Sequence, residues 1–467
     1  MRKILKNASY LFISNALVRF LTSLATILVA RYLGSAEYGI LSVAIAFTTI
    51  AAYFTDMGLS NTFLREATKK DISIEKLTGS YLKVRFLFAL ATVVVSYFIV
   101  ETIYTDENMK LIIYYILIPT VIGASFQGLG VVYFQALQKM HFTALIRGLS
   151  GILTASTLFI GLIFEWPLKI LALIYGLSGI LGGLISILLI GNKISFRTRY
   201  NSGITKGLFS FSINGLIIMA LPQLGPIVLE KVTAISEVGY FSAAYKIPSG
   251  LYQIPGIVAA AFYPVLFSYG NNKDLGNHLK LNVLQLKLMS TLGIFMTLPF
   301  FVYSGWWINI LYGSKWESAT SILQILSFIV LLQSINYPLA DGLTTLGRQK
   351  SRTIVISISF FIGILCYILL GKFLGARGGA VSAIIVELTQ FIGYFIFSNN
   401  KKKIFSNGIK QALFIILIVL FASKLLNYLN PVAGLPILII LISTLVILFN
   451  RDLYSQLYPI IRKKFSV

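Results

Sequence analysis

The sequence predicts an all-α integral membrane protein of about 14 transmembrane helices, set out as two six-helix lobes and a C-terminal helix pair. Three observations carry that expectation. Of 467 residues, 57% are hydrophobic and only 12% charged, about half the charged share of a soluble domain, and mean hydropathy is +0.83. The apolar residues gather in runs of roughly 18 to 25, the length at which a helix crosses the hydrocarbon core. Finally, Glu37-Tyr38-Gly39-Ile40-Leu41-Ser42-Val43-Ala44 recurs as Glu237-Val238-Gly239-Tyr240-Phe241-Ser242-Ala243-Ala244, an E-x-G-x-x-S-x-A echo between apolar stretches. The same offset pairs Lys6 with Lys206 and Arg31 with Lys231. Internal duplication of a membrane chain is the usual plan of a transporter, with the substrate site between the repeats.

The first lobe, residues 1–200, holds runs at 10–32, 38–57, 81–101, 111–135, 142–164 and 168–190. A basic start followed by an apolar run resembles a signal peptide. The run continues past Leu28 without an A-x-A site and is mirrored by 206–230, so it reads as a retained first span. Gly176, Gly179, Gly182 and Gly183 in the sixth run suit close helix packing. A basic, polar, helix-breaking segment at 191–206 reads as a linker. The second lobe, 201–400, has runs at 208–229, 239–267, 283–304, 318–340, 353–371 and 379–398. Pro222 and Pro226 in its first run, and Pro248, Pro255 and Pro264 in its second, each remove a helix hydrogen bond and should bend both. Residues 401–467 add runs at 411–429 and 432–449 with a basic tail. A second echo, Leu137-Gln138-Lys139 against Leu346-Gly347-Arg348, falls at matching turns, and six spans per lobe implies parallel repeats, with Glu37 over Glu237.

A formal charge of +23 raises nucleic acid as a partner, but its distribution explains it otherwise. With the N-terminus inside, 25 of the 39 basic residues fall on inside segments, among them Lys69, Lys139, Lys206, Lys280, Arg348 and Lys401 to Lys403. Eight fall outside and are offset by as many acids. That bias places both termini in the cytoplasm and faces the charge toward anionic lipid; no nucleic acid is needed. Trp166, Trp306, Trp307 and Trp316 fall at outside ends, as in an interfacial belt. Cys366 is the sole cysteine, which excludes a disulfide or thiol-pair metal site.

No H-E-x-x-H, P-loop or G-x-S-x-G constellation is present, and His141 and His278 have no acidic partner nearby in sequence. The expectation is a protein that is not an enzyme, with no cofactor and no metal. The chemistry lies in charges within spans, since a charge at mid-bilayer costs about 2.5–3.5 kcal/mol on insertion scales. Arg19 is deepest, Lys246 sits two turns inside its span, Arg147 and Lys287 about one, and Lys83 and Arg85 open the third. Against these six bases stand two acids, Asp56 and Glu387. An anionic substrate would neutralise the surplus. The plainer readings are snorkelling for Lys83, Arg85, Arg147 and Lys287, a helix-end role or a pair with Arg65 or Arg19 for Asp56, and a lumen base or a bound cation for Glu387.

The opening K-N-x-x-Y-x-x-x-S-N (Lys6, Asn7, Tyr10, Ser14, Asn15), A-R-Y-L-G-x-x-x-Y-G (Ala30 to Gly39), D-M-G-L (Asp56 to Leu59), Arg65-Glu66 and the Leu346-Gly347-Arg348 turn resemble those of the Wzx polysaccharide flippases. These belong to the exporter superfamily that includes MATE carriers and the lipid II flippase MurJ. The resemblance implies two six-helix lobes in a V around a cationic cavity. It also implies transfer of undecaprenyl-pyrophosphate-linked oligosaccharide across the cell inner membrane, by alternating access coupled to an ion gradient. The pathways so served are O-antigen, capsule or exopolysaccharide assembly, with a polysaccharide polymerase and chain-length regulator as partners. Arg19 and Lys246 are the first candidates for the cavity, with Asp56 and Glu387 for ion coupling. The rival readings are a lipid II flippase, which shares the architecture, and a MATE-type cation antiporter, which would favour buried carboxylates.

Overall fold

The computed structural model describes residues 2–69, 73–191, 200–206, 208–251 and 253–450; the side chains of 2–16, 209–211 and 213–214 are also outside the description. Most of the predicted linker, the basic tail from Arg451 and the side chains of the K-N-x-x-Y opening therefore lie outside the described residues. Every element among those described is helical, and twelve runs are long and apolar enough to cross a membrane. The chain divides into two compact units, Met1–Ser242 and Ala243–Val467.

The first unit contains α1 (Arg2–Phe54), α2 (Leu59–Ala67), α3 (Ile74–Ile103), α4 (Glu107–Ala136), α5 (Met140–Ile163), α6 (Leu168–Ile190), α7 (Leu208–Ala220), α8 (Leu224–Val232) and the first turns of α9 (Ile235–Leu251). Straight, α1 would reach roughly 80 Å at 1.5 Å per residue, far beyond a bilayer. It kinks at Gly34, whose φ of 77° is open only to a residue without a Cβ. The kink falls between the first two predicted spans. The glycines of α6 pack as expected: a Cβ on Gly176 would strike the Tyr115 carbonyl, one on Gly183 the Gly123 carbonyl, and one on Gly182 the Ser150 side chain. Ser186 Oγ closes the same seam, donating to Phe126 O at 2.8 Å and accepting from Gly130 N at 2.9 Å. The run through Pro222 is broken, with a 3₁₀ turn at Leu221–Gln223 separating α7 from α8.

The two halves of the E-x-G-x-x-S-x-A echo touch. A Cβ on Gly39 would meet the Ile235 carbonyl, and one on Gly239 would meet the Ser35 carbonyl. The contact is reciprocal under the offset read from the sequence, because 35 answers to 235 as 39 does to 239. Only glycine lets the two backbones approach so closely.

The second unit continues with α10 (Gln253–Asn271), α11 (Leu275–Val302), α12 (Ser304–Tyr312), α13 (Ala319–Leu326), α14 (Phe328–Thr345), α15 (Gln349–Phe397), α16 (Lys401–Ile404), α17 (Lys410–Leu426) and α18 (Pro431–Phe449). A π-helical turn at Phe405–Ile409 joins α16 to α17. Like α1, α15 is broken, here at Gly375 with φ 58°, between the predicted spans 353–371 and 379–398. Asp274 caps α11 by accepting from Asn277 N at 3.1 Å; that bond and one from the Asn277 side chain hold its carboxyl below the usual carboxylate range.

The second sequence echo is a repeated helix stop. Leu137 and Leu346 are the C-caps of α4 and α14, each followed by a left-handed residue, Gln138 (φ 56°) or Gly347 (φ 76°). Lys139 N then donates to Phe134 O at 2.8 Å and Arg348 N to Leu343 O at 2.9 Å, the six-to-one bond of a Schellman cap. One expectation fails: Trp316 is 1% exposed, packed against Tyr312 with ring centroids 5.3 Å apart. The 3₁₀ turn Ser314–Trp316 folds its indole into the unit rather than onto a lipid interface.

Candidate functional site

In the first unit, chemistry collects where α1 ends. After Phe54 the chain turns through Met57 (φ 41°) and Gly58 (φ 82°) into α2. The turn aims the Asp56 carboxylate at the new helix start, where Ser60 donates from its backbone N at 3.3 Å and its Oγ at 2.6 Å. A helix N-terminus favours such an anion. Tyr81 and Arg85, one turn apart on α3, reach the same oxygen: Tyr81 OH at 3.1 Å and Arg85 Nη1 at 2.7 Å. Arg85 Nη1 also meets the Tyr81 hydroxyl, and Nη2 donates to Ala124 O at 3.0 Å. The guanidinium lies on Gly128, where a Cβ would overlap it. Phe63 meets the Tyr81 ring edge-on at 5.3 Å, within the apolar cluster of Leu59, Leu77, Leu129 and Ile146.

Asp56 also lines a cavity of about 490 Å³ with Thr48, Thr49, Tyr53, Thr120 and Tyr175. Thr48 is 3% exposed, and its Oγ1 has no hydrogen-bond partner. Ile45, Ala52, Ile116 and Met219 complete a mostly apolar lining, broken by the carboxylate and a few hydroxyls that can exchange hydrogen bonds with a ligand. A second cavity of about 380 Å³, between Phe47, Ile50 and Phe54 of α1 and Phe88, Val95 and Ile99 of α3, is almost wholly apolar.

In the second unit, Glu387 on α15 is buried, and its hydrogen-bond donors among the described residues are amides. Gln333 Nε2 donates to Oε1 at 2.9 Å, and Asn336 Nδ2 to Oε2 at 2.9 Å and to the Glu387 carbonyl at 3.0 Å. Gln333 and Asn336 stand three apart on α14, so they share a face. Among the described residues no base lies within ion-pair distance of Glu387, and Asn336 Oδ1 is buried without a partner. Such a pocket can take a proton or a small cation; it cannot stably hold a bare charge.

The structure brings two of the eight sequence-derived candidates together, Asp56 and Arg85. Arg65 and Arg19 were the partners expected for Asp56. Instead, Arg65 Nη2 donates to Lys206 O at 2.6 Å, and Arg19 is exposed on α1 with no ion-pair partner among the described residues. Arg147 is also exposed, on α5, and Lys246 half-buried on α9. Lys83 is exposed on α3, while Lys287 is buried on α11 and lines a cavity near the start of that helix. Sequence reasoning missed Tyr81, Ser60, Gln333 and Asn336. Paired amides in an apolar run, and Tyr81 four residues before Arg85, were the signals available.

Residues 4–270 match the model of the polysaccharide biosynthesis protein family. Lipopolysaccharide biosynthesis protein WzxC of Escherichia coli (strain K12) is 21% identical over 418 residues, 84% of this chain and 80% of that one. Among solved structures, lipid II flippase MurJ in an inward closed conformation shares the fold with a TM-score of 0.74 and 19% identity, over 96% of this chain and 99% of that one. An inward-facing multidrug resistance MATE family transporter of the MOP superfamily gives a TM-score of 0.68 at 14% identity, over 82% and 97%. The family match spans more than half the chain, and the protein belongs to the polysaccharide biosynthesis protein family; its fold is that of the MurJ and MATE structures. With twelve described helices long and apolar enough to cross a membrane, it is a multi-pass membrane protein.

Proposed function

We propose that this protein flips an undecaprenyl-pyrophosphate-linked oligosaccharide from the inner to the outer leaflet of the cytoplasmic membrane, for O-antigen, capsule or exopolysaccharide assembly. The observation that carries the reading is the surplus of base over acid within the spans. Arg85 is joined to Asp56, while Arg19, Arg147 and Lys246 have no carboxylate within ion-pair distance among the described residues. A pyrophosphate supplies the missing charge, and a guanidinium grips it in two-point fashion. Within the otherwise apolar cavity beside Asp56, the hydroxyls of Thr49 and Thr120 are the groups we assign to sugar contact.

Fourteen crossings with both ends cytoplasmic follow from the basic-segment bias and from two broken helices, α1 and α15, each long enough to cross twice. The reciprocal Gly39–Gly239 contact and the twin Schellman caps support a duplicated six-helix lobe that alternates its access. Glu387, with amides for partners, is the group we assign to ion coupling. The fold alone would also suit a MATE-type exporter, but an interior surplus of base repels organic cations.

Reconstitution of the purified chain into liposomes carrying a fluorescent short-chain polyprenyl-pyrophosphate glycolipid tests this. Protein-dependent exchange of the glycolipid between leaflets is expected. No exchange, together with uptake of an organic cation, contradicts the proposal and favours the exporter.

A further inference from the structure

The two ends of the broken run α7–α8 are held to the rest of the first unit by different means. At the inner end the hold is multiple. Ser212 Oγ donates to Met57 O at 2.6 Å, and Tyr53 OH donates to Ser212 O at 2.8 Å. Gly215 lies against that tyrosine hydroxyl, where a Cβ would overlap it. Just before α7, Arg65 Nη2 donates to Lys206 O and Thr62 Oγ1 to Ile204 O, and Ile204 is fully buried in the cluster of Leu59, Phe63 and Tyr81. At the outer end, the side-chain hydrogen bond from α8 to α3 among the described residues comes from one lysine. Lys231 Nζ, in the last turn of α8, donates to Ile103 O at 3.0 Å and lies 3.8 Å over the Tyr104 ring. Ile103 ends α3, so its carbonyl lacks a partner within the helix and favours a cation. Tyr104 in turn meets Phe47 of α1 edge-on at 6.4 Å, and Glu230 stands 2.8 Å from the ammonium. Just beyond α8 comes the reciprocal contact of Gly39 and Gly239, where the nearest atoms are all backbone.

We propose that α8 is a door at the outer side, that Lys231 is its latch, and that it turns about the break at Leu221–Gln223. The 3₁₀ turn there already separates the hydrogen-bond ladders of α7 and α8, and Pro222 has no N–H with which to rejoin them. Hinges absorb such motion in a few residues at the ends of elements. With α7 bonded to α1 and to the turn before α2, the freedom falls to α8. A lysine suits a latch because its side chain is 37% exposed, and water can take over its bonds when it lets go. The glycine seat beside it can part without drawing a side chain out of a socket. Ile227 of α8 forms one wall of the apolar cavity with Phe47 and Ile99, so the swing widens that cavity. Only the assignment of inner and outer sides rests on the topology proposed above.

Double electron–electron resonance on the full chain in detergent tests this independently of transport. In a Cys366→Ala background, spin labels at Asn108→Cys and Ala234→Cys report the outer end, and labels at Asn61→Cys and Ser202→Cys the inner end; all four positions are exposed. With Lys231 in place, the outer pair should show one dominant distance. Lys231→Met should add a second population longer by roughly 5 Å, the travel of a lever about 13 Å long through a modest swing. Lys231→Gln should do the same, Lys231→Arg should keep the single distance, and the inner pair should not change in any variant. Melting in detergent confirms that each variant is folded. If folded Lys231→Met and Lys231→Gln proteins keep the wild-type outer distance, Lys231 is no latch. Lengthening of the inner pair together with the outer pair would also overturn the proposal, because α7 and α8 would then move as one body.

Discussion

Asp56, in the turn between α1 and α2, and Glu387, within α15, are acids, one in each compact unit, and their surroundings are opposite in kind. Asp56 receives a guanidinium at 2.7 Å and caps the start of α2. Glu387 receives side-chain amides, at 2.9 Å. A permanent base fixes a charge once the chain has folded. Amides solvate a carboxylate without neutralising it, which leaves the balance to a proton or cation from outside. Under the proposed function, the first acid is assigned to the architecture and the second to ion coupling.

The largest effect should come from breaking the fixed pair. Asp56→Ala leaves Arg85 buried with no counter-charge, a loss of 3–5 kcal/mol where both groups are fully buried. Since the Asp56 side chain is 26% exposed, the expected loss is about 3 kcal/mol, at the lower end of that range. It should appear as reduced abundance and an earlier melt in detergent; unchanged melting would show that the pair does not hold the unit together. Gly128→Ala strikes the same pair from the other side, because its methyl group must displace the guanidinium. Overpacking of this kind costs about 1–3 kcal/mol, and Asp56→Ala should add little to it if both act through Arg85. Additive losses would separate them. Arg19→Ala should be the mildest for stability, within about 0.5 kcal/mol for an exposed side chain. Surface polysaccharide should nevertheless fall at normal protein level, with partial rescue by Arg19→Lys. Full export by Arg19→Ala removes that residue from the substrate path.

Much of this was legible in the sequence, for identifiable reasons. Apolar runs, the prolines of 208–229 and the glycines of α6 act through local physics, which composition reports directly. The echoes at 37–44 and 237–244, and at 137–139 and 346–348, could be read because the same residues recur; that the first pair would meet at Gly39 and Gly239, and the second would be helix caps, could not. The partner of Asp56 could not. Arg85 lies 29 residues on, and only the turn at Met57 and Gly58 and the packing of α3 bring it back. Hydropathy places Trp316 at a membrane edge, yet a tight 3₁₀ turn sends it inward. Glu387 stood out as a buried acid, while the amides that decide its chemistry lie on another helix, more than 50 residues away.

The contrast itself is tested by glycolipid exchange in liposomes with and without an imposed sodium or proton gradient, comparing wild type with Glu387→Gln. The glutamine preserves shape and hydrogen-bonding capacity, so the variant should fold and melt within about 1 kcal/mol of wild type. Exchange by wild type should accelerate under one of the gradients, while Glu387→Gln should move glycolipid at a gradient-independent rate. A Glu387→Gln protein that answers the gradient as wild type does would contradict the account, and the mobile charge would have to be sought at another group.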